Sequence, residues 1–168
     1  MAFKHYVSFS LVFLATASIF LANEAQAHAG VNNNNDLCCK SDYPALCRSL
    51  IKGQTNPFGA AQTVVNHLIM ETQRAKKHVA RFGSSQSQVI GICQDSYDDA
   101  LDNLHTCLGN LKGNDKGSFN SNLSAALSDF EVCNDGFNEL GESSPVKDVN
   151  SLLENIADTG LYLESLVH

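Results

Sequence analysis

The sequence predicts an all-α fold, an up-down-up-down four-helix bundle with an N-terminal disulfide-clasped helical hairpin. Three observations lead there. Four stretches carry apolar residues at three-and-four spacing, clusters of Gly, Pro and Asn separate them, and no stretch shows the two-residue alternation between tight turns that strands need. With 168 residues, 43% of them hydrophobic and 17% charged, the chain suits one packed domain and not a disordered or collagen-like polymer.

Residues 1–27 read as a secretory signal peptide. Lys4 and His5 give a weakly positive start, residues 7–22 form an apolar run, and Ala25-Gln26-Ala27 is a small-x-small cleavage site. The run is shorter than the roughly 20 residues a spanning helix needs, so no membrane association is expected. Residues 28–36, with consecutive asparagines at 32–35, lack apolar periodicity and are expected to form a flexible leader. The domain proper is then 37–168, with the hairpin at 37–56 and the bundle at 57–168.

In the hairpin, Pro44 suits the first turn of a short helix. Residues 52–59, with Gly53, Asn56 and Pro57, break the pattern. The first bundle helix is expected over about 60–82, from Ala61, Val64, Val65, Leu68, Thr72, Ala75 and Val79, with Gly83 as its stop. The second, about 87–112, follows Ile90, Cys93, Tyr97, Ala100, Leu101, Leu104, Leu108 and Leu111 to Gly113. After a turn at 113–117, Phe119, Leu123, Ala126, Leu127, Phe130, Cys133 and Phe137 mark the third. Residues 141–145 end it. Val149, Leu152, Leu153, Ile156, Leu161, Leu163 and Val167 mark the fourth, with Gly160 as its weak point, about 1 kcal/mol below Ala in helix propensity. Connections this short make neighbouring helices antiparallel.

Eighteen Asp+Glu against eleven Lys+Arg give a formal net charge of −7, and no cluster of five or more Lys/Arg occurs. That argues against a nucleic-acid partner and against an anionic membrane surface. Catalytic signatures are missing: no G-x-S-x-G elbow, phosphate loop, G-x-G-x-x-G, H-E-x-x-H or EF-hand loop occurs. His67, His78 and His105 read as surface or boundary residues. His105 and Cys107 lie about 200° apart on their helix and cannot form a local dyad. The cysteine spacings fit no zinc site, and neither metal nor cofactor is expected. Asn122-Leu123-Ser124 is a glycosylation sequon close to a helix start.

In an oxidising compartment the six cysteines read as disulfide partners, and six thiols allow fifteen pairings. The second bundle helix narrows the choice for one of them. With Asp95 at zero, Asp99 falls near 40° and Asp102 near −20°, whereas Cys93, Ala100, Leu101, Leu104, Leu108 and Leu111 fall within about 140–240°. One face is acidic and the opposite face is core. Cys93 therefore needs a partner from a neighbouring helix, and Cys133, on the apolar stripe of the third, is the natural one. That bond would close a loop of about 40 residues, worth on the order of 4 kcal/mol in the chain-entropy model. A solvated face accounts for the three carboxylates; a docking surface for a basic partner is the sharper reading.

Cys38-x8-Cys47 enclosing Ser41-Asp42-Tyr43-Pro44-Ala45-Leu46, Cys93-x3-Tyr97-Asp98-Asp99-Ala100-x3-Leu104, and Asn122-Leu123-Ser124-Ala125-Ala126-Leu127 leading to Cys133-Asn134-Asp135-Gly136-Phe137 resemble the plant invertase and pectin methylesterase inhibitors. The resemblance implies pairs Cys38–Cys47 and Cys93–Cys133, with Cys39 and Cys107 left over and Cys39 able to compete for Cys47. It implies a secreted non-enzymatic protein of the apoplast or cell wall, or alternatively the vacuole, that blocks a substrate cleft by forming a stoichiometric complex. Asp95, Asp99, Asp102, Asn120 and Asp135 match positions that contact the partner in the esterase inhibitors, and Val132 replaces a frequent Thr. The invertase inhibitors' Pro-Lys-Phe string is missing, Ser144-Pro145-Val146-Lys147 being the nearest fragment, so the expected partner is pectin methylesterase, with acid invertase as the alternative. A secreted helical protein without an enzyme target is the remaining reading.

Overall fold

The computed structural model describes residues 36–82 and 87–168; the signal peptide, most of the leader and the Gly83 stop lie outside them. Among the described residues five α-helices follow one another: α1 (Pro44–Ile51), α2 (Pro57–Val79), α3 (Ser87–Lys112), α4 (Lys116–Glu139) and α5 (Lys147–Ser165). Among the described residues there is no strand. Each long helix packs on two neighbours, α3 on α2 and α4, and α5 on α4 and α2, which closes a four-helix ring; α1 rests on α2 and α5.

Helix starts are set by capping side chains, which is where the periodicity alone fell short. α2 begins at Pro57, not near 60, because the Asn56 side chain accepts from the Gly59 N–H at 3.1 Å with Pro57 in the first turn. α4 begins at Lys116, inside the expected turn, because Asp115 caps the Ser118 N–H at 3.0 Å. α2 tightens into a 3-10 turn, Ala80–Phe82, before the chain leaves it.

The core runs the length of the bundle. Leu68 from α2, Tyr97 and Leu104 from α3, Phe119, Leu123, Phe130 and Phe137 from α4, and Leu153, Ile156 and Leu163 from α5 are all fully buried. Burial of each such side chain stabilises the fold by about 1.5–3 kcal/mol as an upper bound. Leu101 and Leu108 are only partly buried, while Cys107 is fully buried. The core face of α3 is turned toward Cys107 relative to the one drawn through the leucines.

Gly160 is also a close-packing position. A Cβ there would lie 3.1 Å from Leu123 Cδ2 and 3.6 Å from Val64 Cγ1, so the bare backbone lets α5 settle onto α4 and α2. Gly136 does the same for α4 against Val89 of α3. Polar groups inside the bundle are paired. The fully buried Tyr97 donates to Asn150 Oδ1 at 2.6 Å, and Asn150 Nδ2 donates to Asn134 Oδ1 at 3.1 Å, which joins α3, α5 and α4. Burial pushes the Tyr97 hydroxyl up to about 12.

At the N-terminus, the turn before α1 and α1 itself are joined by Cys38–Cys47, with Cα atoms 5.6 Å apart. Asp36 accepts from the Cys38 N–H at 3.0 Å and pairs with Arg48 at 2.9 Å, and the Tyr162 hydroxyl donates to the Leu37 carbonyl at 2.7 Å. The appendage is thereby held to α5. Beyond α1 the chain reverses through Lys52 in the left-handed region, φ 50°, and Gly53, φ 81°.

Candidate functional site

The outer face of α3 carries Asp95, Asp99 and Asp102, all exposed, opposite the buried Cys93, Ala100, Leu104 and Leu111. Asp98, one position round, leans the other way and forms an ion pair with Lys76 of α2. Asp99 is near enough to Asp129 of α4 for its charge to act on it. Asp129 accepts from Asn103 Nδ2 at 3.0 Å, and its carboxyl is held above the usual range by burial first, with the Asp99 charge adding to it against the Asn103 bond. The acidic stripe thus continues across the seam between the two helices.

That seam is locked by Cys93–Cys133, whose Cα atoms are 4.5 Å apart. Ile92 and Val132 each precede one of the bonded cysteines, and a step of about 100° turns each out of the core. They are left 38% and 42% exposed. Two exposed apolar side chains thus stand next to the bridge, on the helices that also carry Asp95, Asp99 and Asp129. Interfaces of specific complexes share that anatomy of apolar centre and polar rim.

Not every expected residue joins this surface. Asp135 is exposed two positions beyond Cys133, so it lies at the same end of the bundle. Asn120 is exposed 13 residues before Cys133, about 20 Å away along α4, at the end where Cys107 Sγ meets the Phe119 carbonyl. Asn122 is half-buried, and its amide nitrogen donates to Asn110 Oδ1 at 3.1 Å and to the Ser118 carbonyl at 2.8 Å. A glycan on that nitrogen would leave it one hydrogen and release one of these acceptors.

A second acidic group escaped the sequence reading. Glu154 and Asp158 of α5 are both raised by burial first, then by neighbouring charges: Glu131 of α4 and Asp158 act on Glu154, and Asp42 acts on Asp158. The four-residue spacing of Glu154 and Asp158 was the available signal, but their neighbours come from distant parts of the chain.

The thiols not in disulfides differ sharply. Cys39 is exposed and Cys107 is buried. Burial pushes the Cys107 thiol up to about 12, the opposite of what a nucleophile needs. His67 sits 3.5 Å from Glu71, and His78 packs edge-on against Phe82. No group of three or more potential metal ligands occurs among the described residues. The arrangement offers an exposed, charged surface for binding.

Comparison with known proteins agrees with this fold. Residues 33–163 match the family model described as plant invertase/pectin methylesterase inhibitor. Pectinesterase inhibitor 11 of Arabidopsis thaliana is 27% identical over 154 residues, covering 75% of this chain and 76% of the relative. The 21 kDa protein of Daucus carota is 30% identical over 159 residues, covering 82% and 78%. A crystal structure of a mutant form of a pectin methylesterase inhibitor from Arabidopsis superposes with a TM-score of 0.67 at 20% identity, covering 79% of this chain and 95% of that one. The helical bundle, its disulfides and the matched span together place the chain in the plant invertase/pectin methylesterase inhibitor family, whose members are inhibitor proteins and not enzymes.

Proposed function

We propose that the protein is a secreted cell-wall inhibitor of pectin methylesterase, covering the enzyme's pectin-binding cleft in a one-to-one non-covalent complex. The α3–α4 seam is the docking surface. The observation that carries this reading is the exposed stripe Asp95, Asp99 and Asp102, continued by Asp129 beside the apolar pair Ile92 and Val132. Charge on such a rim mainly raises association rate and selectivity. A seam fixed by Cys93–Cys133 has little left to order on binding, which favours affinity. Support for the esterase over invertase comes from the missing Pro-Lys-Phe string, since the relatives include both pectinesterase inhibitors and a putative invertase inhibitor.

Titration of the purified chain against one pectin methylesterase and one acid invertase tests the reading. Esterase activity should vanish near an equimolar ratio while the invertase keeps running. Replacing Asp95, Asp99 and Asp102 together with Asn should weaken inhibition about tenfold or more, at unchanged melting temperature, chiefly through a slower association rate. A triple variant that inhibits like the parent would reduce the stripe to a solvated face, and inhibition of invertase alone would reverse the choice of target.

A further inference from the structure

We propose that the cleft between the last turns of α2 and the first turns of α5 binds an acidic polysaccharide, a chain of uronate carboxylates. The cleft holds about 380 Å³. Along one edge stand Arg74, Lys77 and His78 of α2, followed by Arg81 in the 3-10 turn, at three-and-four spacing that puts them in one row about 10 Å long. Arg74 pairs with Glu71, the one acid of the lining, which also faces His67. Lys77 and Arg81 form no ion pair among the described residues.

The floor is apolar, made by Ala75, Val149 and Leu152, with Leu152 left 44% exposed. His78 is held edge-on against Phe82, with 5.2 Å between ring centroids. Cations in the final turn of a helix complement its dipole. That explains Lys77 and His78, but neither Arg74, further back on α2, nor the uncovered floor.

A saccharide polymer bearing carboxylates combines the two chemistries this cleft offers, apolar ring faces for the floor and regularly spaced anions for the row. The net charge of −7 repels polyanions overall, so attraction must come from this local row. The choice of a uronate among polyanions rests on the functional reading above, because hydrolysis of pectin's methyl esters leaves free carboxylates on the polymer. In the ring of helices the α2–α5 seam lies across the bundle from the α3–α4 seam. Polymer and enzyme could therefore be held at once.

Binding of the full chain, purified from an oxidising host, is measured against polygalacturonate and against fully methyl-esterified pectin with no esterase present. Polygalacturonate should bind at low ionic strength and be released by added salt. The esterified polymer should bind at least about tenfold more weakly, and R74Q/K77Q/R81Q should lose at least about tenfold while keeping its helical signal. The charge-conserving variant R74K/R81K should retain most of the binding. Equal binding of both polymers, or a triple variant that binds like the parent, overturns the proposal. Concentration-dependent dimers that the triple variant abolishes, without polymer binding, assign the cleft to a second copy of the chain and overturn it as well. Since the assay contains no esterase, its outcome is separate from whether the chain inhibits one.

Discussion

The Tyr97 hydroxyl and the Asn150 side chain meet at 2.6 Å in the middle of the bundle, both fully buried, and through Asn134 they tie three of the four long helices together. A neutral hydrogen bond contributes only about 1 kcal/mol net, but a buried partner left without one costs more. Tyr97→Phe strips the donor from Asn150 Oδ1 and should lower unfolding stability by about 1–3 kcal/mol. Asn150→Ala removes the acceptor and the donor to Asn134 and leaves a cavity, so it should cost more than Tyr97→Phe. Urea melts with unchanged m-values would check both. A neutral Tyr97→Phe would mean that the contact contributes nothing beyond packing.

Two helical glycines make opposite predictions. A Cβ at Gly109 in α3 meets nothing within 4 Å, so Gly109→Ala should stabilise by about 0.5–1 kcal/mol through helix propensity. Gly160→Val forces branched carbon into the contact with Leu123 and Val64 and should destabilise by about 1–3 kcal/mol. Thermal melts of the pair separate a propensity site from a packing site, and equal shifts of the same sign would contradict the close approach of α5.

The disulfides differ in what they constrain. Removing Cys93–Cys133, which spans 40 residues, with paired alanines should cost on the order of 4 kcal/mol, and removing Cys38–Cys47, which spans 9, about 3 kcal/mol. The exposed Cys39 beside Cys38 can enter thiol exchange, so Cys39→Ser should leave stability unchanged while raising the yield of correctly paired protein after oxidative refolding. Peptide mapping under non-reducing conditions reads the pairing directly. A Cys39→Ser variant that unfolds with the loss of a bridge would show Cys39 to be the partner of Cys47.

Stability should rise on mild acidification. Asp129, Glu154, Asp158 and Glu164 are held above the ordinary carboxylate range, by burial first in each case. The folded state therefore keeps these protons more tightly than the unfolded chain, and the stability they contribute is fully present below the unfolded values and lost as pH rises through the folded ones. Asp36 and Asp115 are held low, first by the backbone N–H groups of Cys38 and Ser118. Their contribution disappears only as pH falls through those lowered values. The melting temperature should climb as pH falls from neutrality through the raised values and drop again in acid strong enough to reach the lowered ones. Replacing Glu154 with Gln and Asp158 with Asn should flatten the climb, and a melting temperature that drops steadily from neutrality would refute the assignment.

How far the fold was legible depended on whether its cause was local. The apolar rhythm of Ile90, Tyr97, Leu104 and Leu111 located α3 at its observed ends, because amphipathic periodicity and core burial are the same fact seen twice. The caps at Asn56 and Asp115 were also local, and were passed over because breaker residues and helix caps share a composition. The packing role of Gly160 was not legible for another reason: it lies in Leu123 and Val64, far away in sequence, and no propensity scale contains them. The candidate surface divides the same way. Asp95, Asp99 and Asp102 follow from one helix, whereas the nearness of Asp99 to Asp129, and of Glu131 to Glu154, exists only once helices are side by side.

Cys107, with no exposed surface and its sulfur 3.6 Å from the Phe119 carbonyl, has a practical use as a built-in clock. A thiol-reactive dye added to the native protein should label Cys39 at once and reach Cys107 only when α3 and α4 part. The slow phase of labelling then times the opening of the bundle in each variant, without a probe having to be engineered.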